Sequence, residues 1–282
     1  ASEDGTARIW DARTGELIHE LRHDRALTWA TYGPQGKQIL TCSEDLTARV
    51  WDAETGLPIS PALTHAGRVD GGGFSPDGSL VVTASNDHTA KIWEIVTGKC
   101  LVDEITHTGG IFTASFTPDS KRVVTGARDG SARIWNVSDG SPASPPMSIG
   151  RGLVRAVISP CGRFIATAGG RGARLWDATS GRLLAGQMRH GDWINEVQFS
   201  QDSSMLVSAG EDGYARVWKL PQPEDRSVDT LQKLAELISG YRVDSRHGLR
   251  PLTPTELQTI LDQFGETNND QASGVTHADS MH

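Results

Sequence analysis

Short segments that alternate apolar and polar residues run through the first 221 residues, and polar turn residues separate them. One stretch has "RVDGGGF", then the turn "SPDGS", then "LVVTAS", and the same order returns in later stretches. Alternation with a period of two places successive side chains on opposite faces, which is typical of half-buried β-strands. No stretch of residues 1–221 keeps a helical period of 3.6, so we predict an all-β domain there.

A tryptophan recurs through this β-rich part at a nearly constant interval. The five intervals are 41, 42, 42, 41 and 42 residues, and the positions are Trp10, Trp51, Trp93, Trp135, Trp176 and Trp218. A period of this length indicates a repeat architecture in which each repeat is one supersecondary unit. Each interval contains four strand-like segments, so we predict one four-stranded antiparallel sheet per repeat.

Other polar residues keep fixed distances from the tryptophan. In four repeats a histidine lies 28 residues before it, an aspartate six before it, and a threonine or serine four before the aspartate. An indole N–H only donates, a carboxylate only accepts, and a hydroxyl or neutral imidazole does both. Buried together, the four can therefore form one hydrogen-bonded chain. The sets are His23, Thr41, Asp45 and Trp51; His65, Thr83, Asp87 and Trp93; His107, Thr125, Asp129 and Trp135; and His190, Ser208, Asp212 and Trp218.

This combination of period, tryptophan and polar set resembles the WD40 repeat family of β-propellers. The resemblance implies a WD40-type β-propeller over residues 1–221, and it implies that the four sets are structural tetrads rather than metal or catalytic sites. We count five full repeats, preceded by a partial first blade. Since the family usually closes with seven blades, we expect the propeller to be truncated from a seven-bladed or larger array.

One repeat departs from the pattern. Before Trp176 the histidine position holds Ile149, and the turn in "AGGRGARLW" is one residue shorter and has no aspartate. The hydroxyl remains, as Thr167. Losing both partners of a buried polar pair is nearly neutral, whereas losing one leaves the other unsatisfied. We therefore expect this blade to fold without a tetrad.

The pattern changes after residue 221. "SVDTLQKLAELISG" has helical periodicity, and so does "TPTELQTILDQFG", where Thr253 and Glu256 predict a capping box and Gly265 a stop. We predict a short C-terminal α-helical extension over residues 222–265. Residues 266–282 contain few groups to bury, so we predict a disordered tail.

The charge of the chain bears on its partners. The net charge is −8, and residues 222–282 carry 10 acidic against 5 basic side chains. Duplex nucleic acid and anionic membranes require a basic surface, so we expect neither as the main partner. No run of about 18 apolar residues predicts a membrane span. The three cysteines, Cys42, Cys100 and Cys161, show no C-x-x-C spacing, which argues against a zinc site or a disulfide framework and favours a cytoplasmic location.

The sequence contains no phosphate-binding loop and no Ser/His/Asp set outside the tetrads. We therefore predict a non-catalytic protein–protein interaction scaffold without cofactors, which binds other proteins or peptides; no oligomeric state is indicated. Loops on a rigid scaffold carry recognition, and arginine and tryptophan are frequent at interface hot spots. The candidate partner-binding residues are the non-repeating ones near the histidine and aspartate loops: Arg25, Arg68, Asn86, Arg128, Arg151, Arg171 and Trp193.

Two alternatives remain open. The segments "LAELISGYRVD" and "LRPLTPTEL" are similar to C-terminal tails of large bacterial WD-repeat proteins, some of which carry a protein kinase domain far upstream. That resemblance implies a regulatory or sensory domain of a multidomain enzyme such as a serine/threonine kinase, although this chain has no kinase motif. The other alternative is a ligand site in the central channel, for which only Arg155 and Glu196 stand out; Trp29 is a core filler or a binding aromatic.

Overall fold

The computed structural model describes residues 1–150, 152, 155–220, 241–244, 248–251, 253 and 255–256. The chain divides into two units, Ala1–Leu220 and Pro221–His282. Every regular element described in the first unit is a β-strand. The strands are β1 Thr6–Trp10, β2 Leu17–Arg22, β3 Leu27–Tyr32, β4 Gln38–Ser43, β5 Thr47–Asp52, β6 Leu63–Thr64, β7 Val69–Phe74, β8 Leu80–Ser85, β9 Thr89–Glu94, β10 Cys100–Thr106, β11 Ile111–Phe116, β12 Arg122–Ala127, β13 Ser131–Asn136, β14 Met147–Ser148, β15 Arg155–Ile158, β16 Phe164–Gly169, β17 Gly172–Asp177, β18 Leu183–Arg189, β19 Ile194–Phe199, β20 Met205–Gly210 and β21 Ala215–Lys219.

These strands form antiparallel sheets in which consecutive strands pair. Four sheets have four strands each: β3–β6, β7–β10, β11–β14 and β15–β18. Strands β1 and β2 form a two-stranded sheet, which is the predicted partial first blade. The last sheet, β19–β21, has three strands within the described residues, where five complete sheets were expected. The predicted all-β repeat is confirmed.

Successive sheets pack through their first strands. β3 contacts β7, β7 contacts β11, β11 contacts β15, and β15 contacts β19. The turns between second and third strands lie at the same end of the sheets as the loops that precede the first strands, because consecutive antiparallel strands reverse direction. We call this end the tetrad end, since it carries the predicted histidine loops and aspartate turns. The turns between third and fourth strands lie at the opposite end.

The apolar core lies between neighbouring sheets. From Trp51 onwards, each repeating tryptophan packs against the sheet that precedes its own: Trp93 shares a cluster with Leu40 and Val50, and Trp135 shares one with Val82 and Ile92. Ile92 is fully buried, and burial of such a side chain contributes roughly 1.5–3 kcal/mol. Packing between neighbouring sheets therefore fixes their relative positions. The loops at the tetrad end project from this rigid support.

The second unit contains a hairpin that was not predicted. β22 (Tyr241–Asp244) pairs with β23 (Gly248–Pro251), between the two segments expected to be helical. The alternation in "YRVD", with Tyr241 and Val243, is a strand pattern. The first expected helix and the tail from 266 to 282 lie outside the described residues.

The second expected helix is described only at its start, where residues 255 and 256 are helical. The Thr253 amide donates to the Glu256 carboxylate at 2.9 Å, and the Glu256 amide donates to the Thr253 hydroxyl at 3.3 Å, which is a capping box. Across the described part of the chain, no helix is long and apolar enough to cross a bilayer.

Candidate interaction face

The first complete sheet shows how the tetrad side chains meet. The indole Nε1 of Trp51 donates to the hydroxyl of Thr41 at 2.7 Å. The imidazole Nε2 of His23 lies 2.7 Å from the same hydroxyl, and Nδ1 lies 2.8 Å from a carboxylate oxygen of Asp45. This chain connects the loop before β3 to strands β4 and β5 and to the turn between them. It therefore fixes the tetrad end of the sheet.

The same contacts recur in three further sheets. The indole-to-hydroxyl distance is 2.8 Å in each, and the imidazole Nε2 lies 2.7–2.8 Å from that hydroxyl. The imidazole Nδ1 lies 3.0–3.2 Å from the aspartate. The structure thus brings together all four predicted sets, which are those of Trp51, Trp93, Trp135 and Trp218.

The hydrogen-bonding pattern fits a neutral imidazole. Burial lowers the pKa of His23, His65 and His107 below the ordinary value for histidine, although the neighbouring aspartates act in the opposite direction. A neutral ring that donates from Nδ1 to the aspartate leaves Nε2 to accept the hydroxyl proton. The hydroxyl oxygen then accepts from the indole. Every polar hydrogen along the chain has an acceptor.

The aspartates are ionised at neutral pH. Burial alone would raise the pKa of Asp87, but hydrogen bonds from the side chain and amide of Thr89 and the proximity of His65 outweigh it, and the pKa falls to about 2. Asp129 shows the same balance with Ser131 and likewise has a pKa of about 2. These carboxylates act as fixed acceptors that hold the turn and the histidine loop together.

A second hydroxyl belongs to three of the four sets and was missed from the sequence. Two residues after the aspartate, Thr47 donates to Asp45 at 2.6 Å and lies 3.3 Å from the Nδ1 of His23. Thr89 and Ser131 make equivalent contacts in the next two sheets. The sequence signal was present, because a hydroxyl residue recurs at this offset.

In the last sheet, an arginine side chain replaces the second hydroxyl. Tyr214 occupies the position of the second hydroxyl and is exposed. Arg216, which follows on β21, turns inwards instead: its Nη1 lies 2.7 Å from Asp212 and 2.5 Å from the Nδ1 of His190. A guanidinium thus supplies the contact that a threonine hydroxyl supplies elsewhere. The sequence alone did not show this, since a basic residue stands at that position in every repeat.

Two of the candidate partner-binding residues converge on a buried acid. Arg68 Nε lies 2.8 Å from Asp70, and Arg128 Nη2 lies 3.7 Å from the other carboxylate oxygen. The Asp70 side chain is 2% exposed, whereas those of Arg68 and Arg128 are 39% and 42% exposed. Burial raises the pKa of Asp70, and the two arginines act in the opposite direction. Arg68 also lies 3.5 Å from Glu44.

An aromatic ring extends this cluster along the first strands. The guanidinium carbons of Arg128 and Arg155 lie 6.0 and 5.0 Å from the centre of the Phe112 ring. Arg155 pairs with Glu196 at 3.0 Å, so the two residues that favoured a channel ligand site bind each other. We call Arg68, Asp70, Phe112, Arg128 and Arg155 the arginine–phenylalanine ladder. Asp70 and Phe112 were not among the predicted residues.

The other candidates are dispersed. Arg25 and Asn86 are exposed in separate loops, and Arg171 lies 3.7 Å from Asp192 with 70% of its side chain exposed. Trp193 is 45% exposed. Arg151 lies outside the described residues.

The structure also places Trp29. It is partly buried and packs against the cluster of β4, β5 and β7, which favours the core-filler interpretation.

Comparison with known families decides the identity of this fold. The model of the WD40 family, described as "WD domain, G-beta repeat", matches residues 15–52, 63–94, 98–136 and 181–219, more than half of the chain. The chain belongs to the WD40 family. Its departing repeat, around Trp176, falls in the gap between the last two matches. Domains of this family are typically non-catalytic, and the described residues contain no cluster of side chains that could hold a metal ion.

Two curated relatives match short segments of the chain. WD repeat-containing protein 18 of Danio rerio is 36% identical over 62 residues, which cover 22% of this chain and 14% of that protein. Apoptotic protease-activating factor 1 of Danio rerio is 30% identical over 67 residues, which cover 24% of this chain and 5% of that protein. The chain therefore spans only a small part of these relatives.

Among solved structures, the computationally designed Ika8 protein matches with a TM-score of 0.68 and 25% identity. The match covers 77% of this chain and 66% of the designed one.

Proposed function

We propose that this WD40 domain is a non-catalytic scaffold that binds other proteins through its tetrad end. The observation that carries the proposal is the arginine–phenylalanine ladder. It places half-exposed guanidinium groups and an aromatic ring on a support fixed by the tetrads and the inter-sheet core. Preorganised arginine and aromatic side chains are the groups that most often dominate binding energy at protein interfaces.

The mixture of charges in the ladder supports a protein partner over a nucleic acid. Asp70 and Glu196 neutralise much of the positive charge of the arginines. A nucleic acid partner requires uncompensated basic groups along its phosphates. The net charge of −8 points the same way. The three free cysteines support a reducing compartment, such as the cytoplasm.

The test is capture of binding partners from a lysate of the source cells, followed by mass spectrometry. The variant Arg128→Gln/Arg155→Gln keeps a polar side chain at both positions but removes the two guanidinium groups that contact Phe112. The matched control, Arg13→Gln/Arg182→Gln, removes two exposed arginines from turns at the opposite end of the sheets. The proposal requires that the first variant loses partners that the control retains; equal capture by both places the interface elsewhere.

A second candidate function is a regulatory domain within a longer multidomain enzyme. It is favoured by the curated relatives, in which the matching segments occupy 14% and 5% of the protein. The experiment is an activity assay of the full natural protein with and without Phe112→Ala. A changed activity with unchanged partner capture supports this second function over the first.

A further inference from the structure

Asp70, the buried acid of the arginine–phenylalanine ladder, lies beside two positive charges but does not complete its hydrogen bonds. Arg68 Nε lies 2.8 Å from one carboxylate oxygen, yet that N–H has no hydrogen-bond acceptor among the described residues. The other oxygen, Oδ2, has no donor there either, since Arg128 Nη2 is 3.7 Å away and an N–H···O hydrogen bond ordinarily spans about 2.7–3.2 Å. The attraction between charges therefore holds this carboxylate without well-formed hydrogen bonds.

The surroundings of Asp70 add little to this compensation. Its charge acts on the fully buried thiol of Cys42 on β4, whose pKa is raised by burial first and by Asp70 second, so that thiol stays neutral. Within the described part of the chain, the charged groups that act on Asp70 are Arg68 and Arg128, and Glu44 lies 3.5 Å from Arg68 on its other side. Burial raises the pKa of Asp70 in spite of both arginines. Withdrawal of the arginines would therefore favour the protonated carboxyl.

Both arginines remain accessible from outside while they are paired with Asp70. The side chains of Arg68 and Arg128 are 39% and 42% exposed, whereas that of Asp70 is 2% exposed. A carboxylate that approaches from the solvent side competes with Asp70 for the same two charges. It can form the paired N–H···O contacts that guanidinium and carboxylate groups make in good geometry, which Asp70 does not form.

We propose that the ladder binds an acidic side chain of a partner peptide, which takes Arg68 and Arg128 over from Asp70 while Asp70 takes up one proton from the solvent. Asp70 is thus the internal counterion of these arginines in the free domain. Phe112, which lies 6.0 Å from the guanidinium of Arg128, offers an apolar surface to the methylene groups of a peptide side chain. This inference rests on the proposed function and adds the chemical class of the partner.

The exchange makes binding depend on pH in a defined direction. Binding neutralises the two charges that favour ionised Asp70, so the pKa of Asp70 rises further in the complex. The complex then carries more protons than its free components, and affinity increases as pH falls. Because a single proton is taken up, the increase is at most about tenfold per pH unit, and it ends once free Asp70 is itself protonated.

The experiment is calorimetric titration of the full chain with N-acetyl-hexaaspartate amide at pH 7.5, 6.5 and 5.5 and constant salt. The aspartates of the probe, with an ordinary pKa of about 3.9, stay ionised over this range. Affinity should rise at least about threefold from pH 7.5 to 5.5. Titrations in two buffers with different heats of ionisation should show net proton uptake, up to about one proton per bound peptide. N-acetyl-hexaserine amide should not bind.

Two variants separate Asp70 from other titrating groups. Asp70→Asn carries no charge at any pH, so it should bind the probe at least about threefold more tightly than the parent at pH 7.5, with reduced pH dependence and reduced proton uptake. The matched control is His88→Gln, at an exposed turn position of the tetrad end, since histidine is the side chain that ordinarily titrates in this range. This control should keep the pH dependence of the parent.

A further pair of variants locates the binding. Arg128→Gln should weaken probe binding at least about threefold, because it removes one of the two guanidinium groups that receive the acid. The control Arg13→Gln removes an exposed arginine from a turn at the opposite end and should bind as the parent does.

Absence of probe binding, or equal binding by Arg128→Gln and the parent, overturns the assignment to an acidic partner. Binding without proton uptake, or a pH dependence that survives unchanged in Asp70→Asn, overturns the role of Asp70. These results are distinct from failure of the proposed function, which is decided by capture of natural partners with Arg128→Gln/Arg155→Gln.

Discussion

His23 and Trp51 are held together by a single oxygen atom. The imidazole Nε2 and the indole Nε1 each lie 2.7 Å from the hydroxyl of Thr41, and the two rings meet edge to face with centroids 6.2 Å apart. One hydroxyl can serve both rings because it donates to the imidazole while accepting from the indole. Residues 28 positions apart are thereby fixed to one point, and removal of any member leaves a buried partner unsatisfied.

Truncation of a tetrad histidine should therefore destabilise the fold. His65→Ala removes the acceptor for the Thr83 hydroxyl and the donor to Asp87, both buried or partly buried. We expect a loss of roughly 1–3 kcal/mol in the free energy of unfolding, measured by urea denaturation. The control Lys99→Ala, at an exposed turn position, should change it by less than about 0.5 kcal/mol. An unchanged midpoint for His65→Ala would show that the tetrad contributes nothing to stability.

The departing repeat allows a comparison between hydroxyls. Thr83 binds both Trp93 and His65, whereas Thr167 binds Trp176 at 2.8 Å and faces no histidine. Replacement by the isosteric valine should cost about 2 kcal/mol or more for Thr83→Val and about 1 kcal/mol for Thr167→Val, since one more buried group loses its partner in the first case. The two unfolding midpoints test this order. Equal losses in the free energy of unfolding would mean that the hydrogen bond between Thr83 and His65 contributes nothing to stability.

Acid should destabilise the domain in two steps. The pKa values of His23, His65 and His107 are lowered in the folded state, so stability is complete above the unfolded value of about 6.5 and falls as pH decreases through it. The pKa of Asp87 is lowered to about 2, so a further loss begins below about pH 4 and ends near pH 2. Urea titrations at several pH values should show both steps.

His65→Gln isolates the first step. The variant lacks one of the titrating imidazoles, so its loss of stability between pH 7.5 and 5.5 should be smaller than that of the parent. A loss equal to the parent's would assign the step to other groups.

Asp70→Asn should not destabilise the domain at neutral pH. Burial raises the pKa of Asp70, so its charged form is disfavoured, and its two partners are exposed enough to be hydrated when they lose it. Replacing the buried carboxylate by a neutral isostere removes this desolvation cost, so the free energy of unfolding at pH 7 should stay the same or rise. The advantage should shrink as pH falls and the parent's carboxyl takes up a proton. Destabilisation by Asp70→Asn at pH 7 would contradict this account.

Fixed sequence offsets predicted the fold and the tetrads, because the same local geometry recurs wherever the same residues recur. The histidine, hydroxyl, aspartate and tryptophan of one set lie on consecutive elements of one sheet, so their spacing is preserved from repeat to repeat. The second hydroxyl, such as that of Thr47, also lies at a fixed offset, two residues after the aspartate. The sequence spacing could therefore have predicted it.

The contacts between side chains of different sheets could not be predicted from the sequence. Arg68 and Arg128 meet at Asp70 only because β7 and β11 belong to adjacent sheets, and nothing in their spacing indicates which charges pair. The inward turn of Arg216 depends on a rotamer choice that its position does not predict, since Arg8 also reaches its turn aspartate whereas Lys91 and Arg174 donate to backbone carbonyls.

The repeats that the family model matches do not begin and end where the sheets begin and end. The match over residues 98–136 begins before β10, which is the last strand of the preceding sheet, and it ends with β13, so the sheets β3–β6 and β7–β10 each combine strands from two matched repeats. A chain cut in the turn at residues 95–99 would leave two fragments that still share the antiparallel ladder of β9 and β10. Such turns are the natural split points for reassembling this domain from two separately expressed halves, whereas a cut in a histidine loop would sever whole sheets from each other.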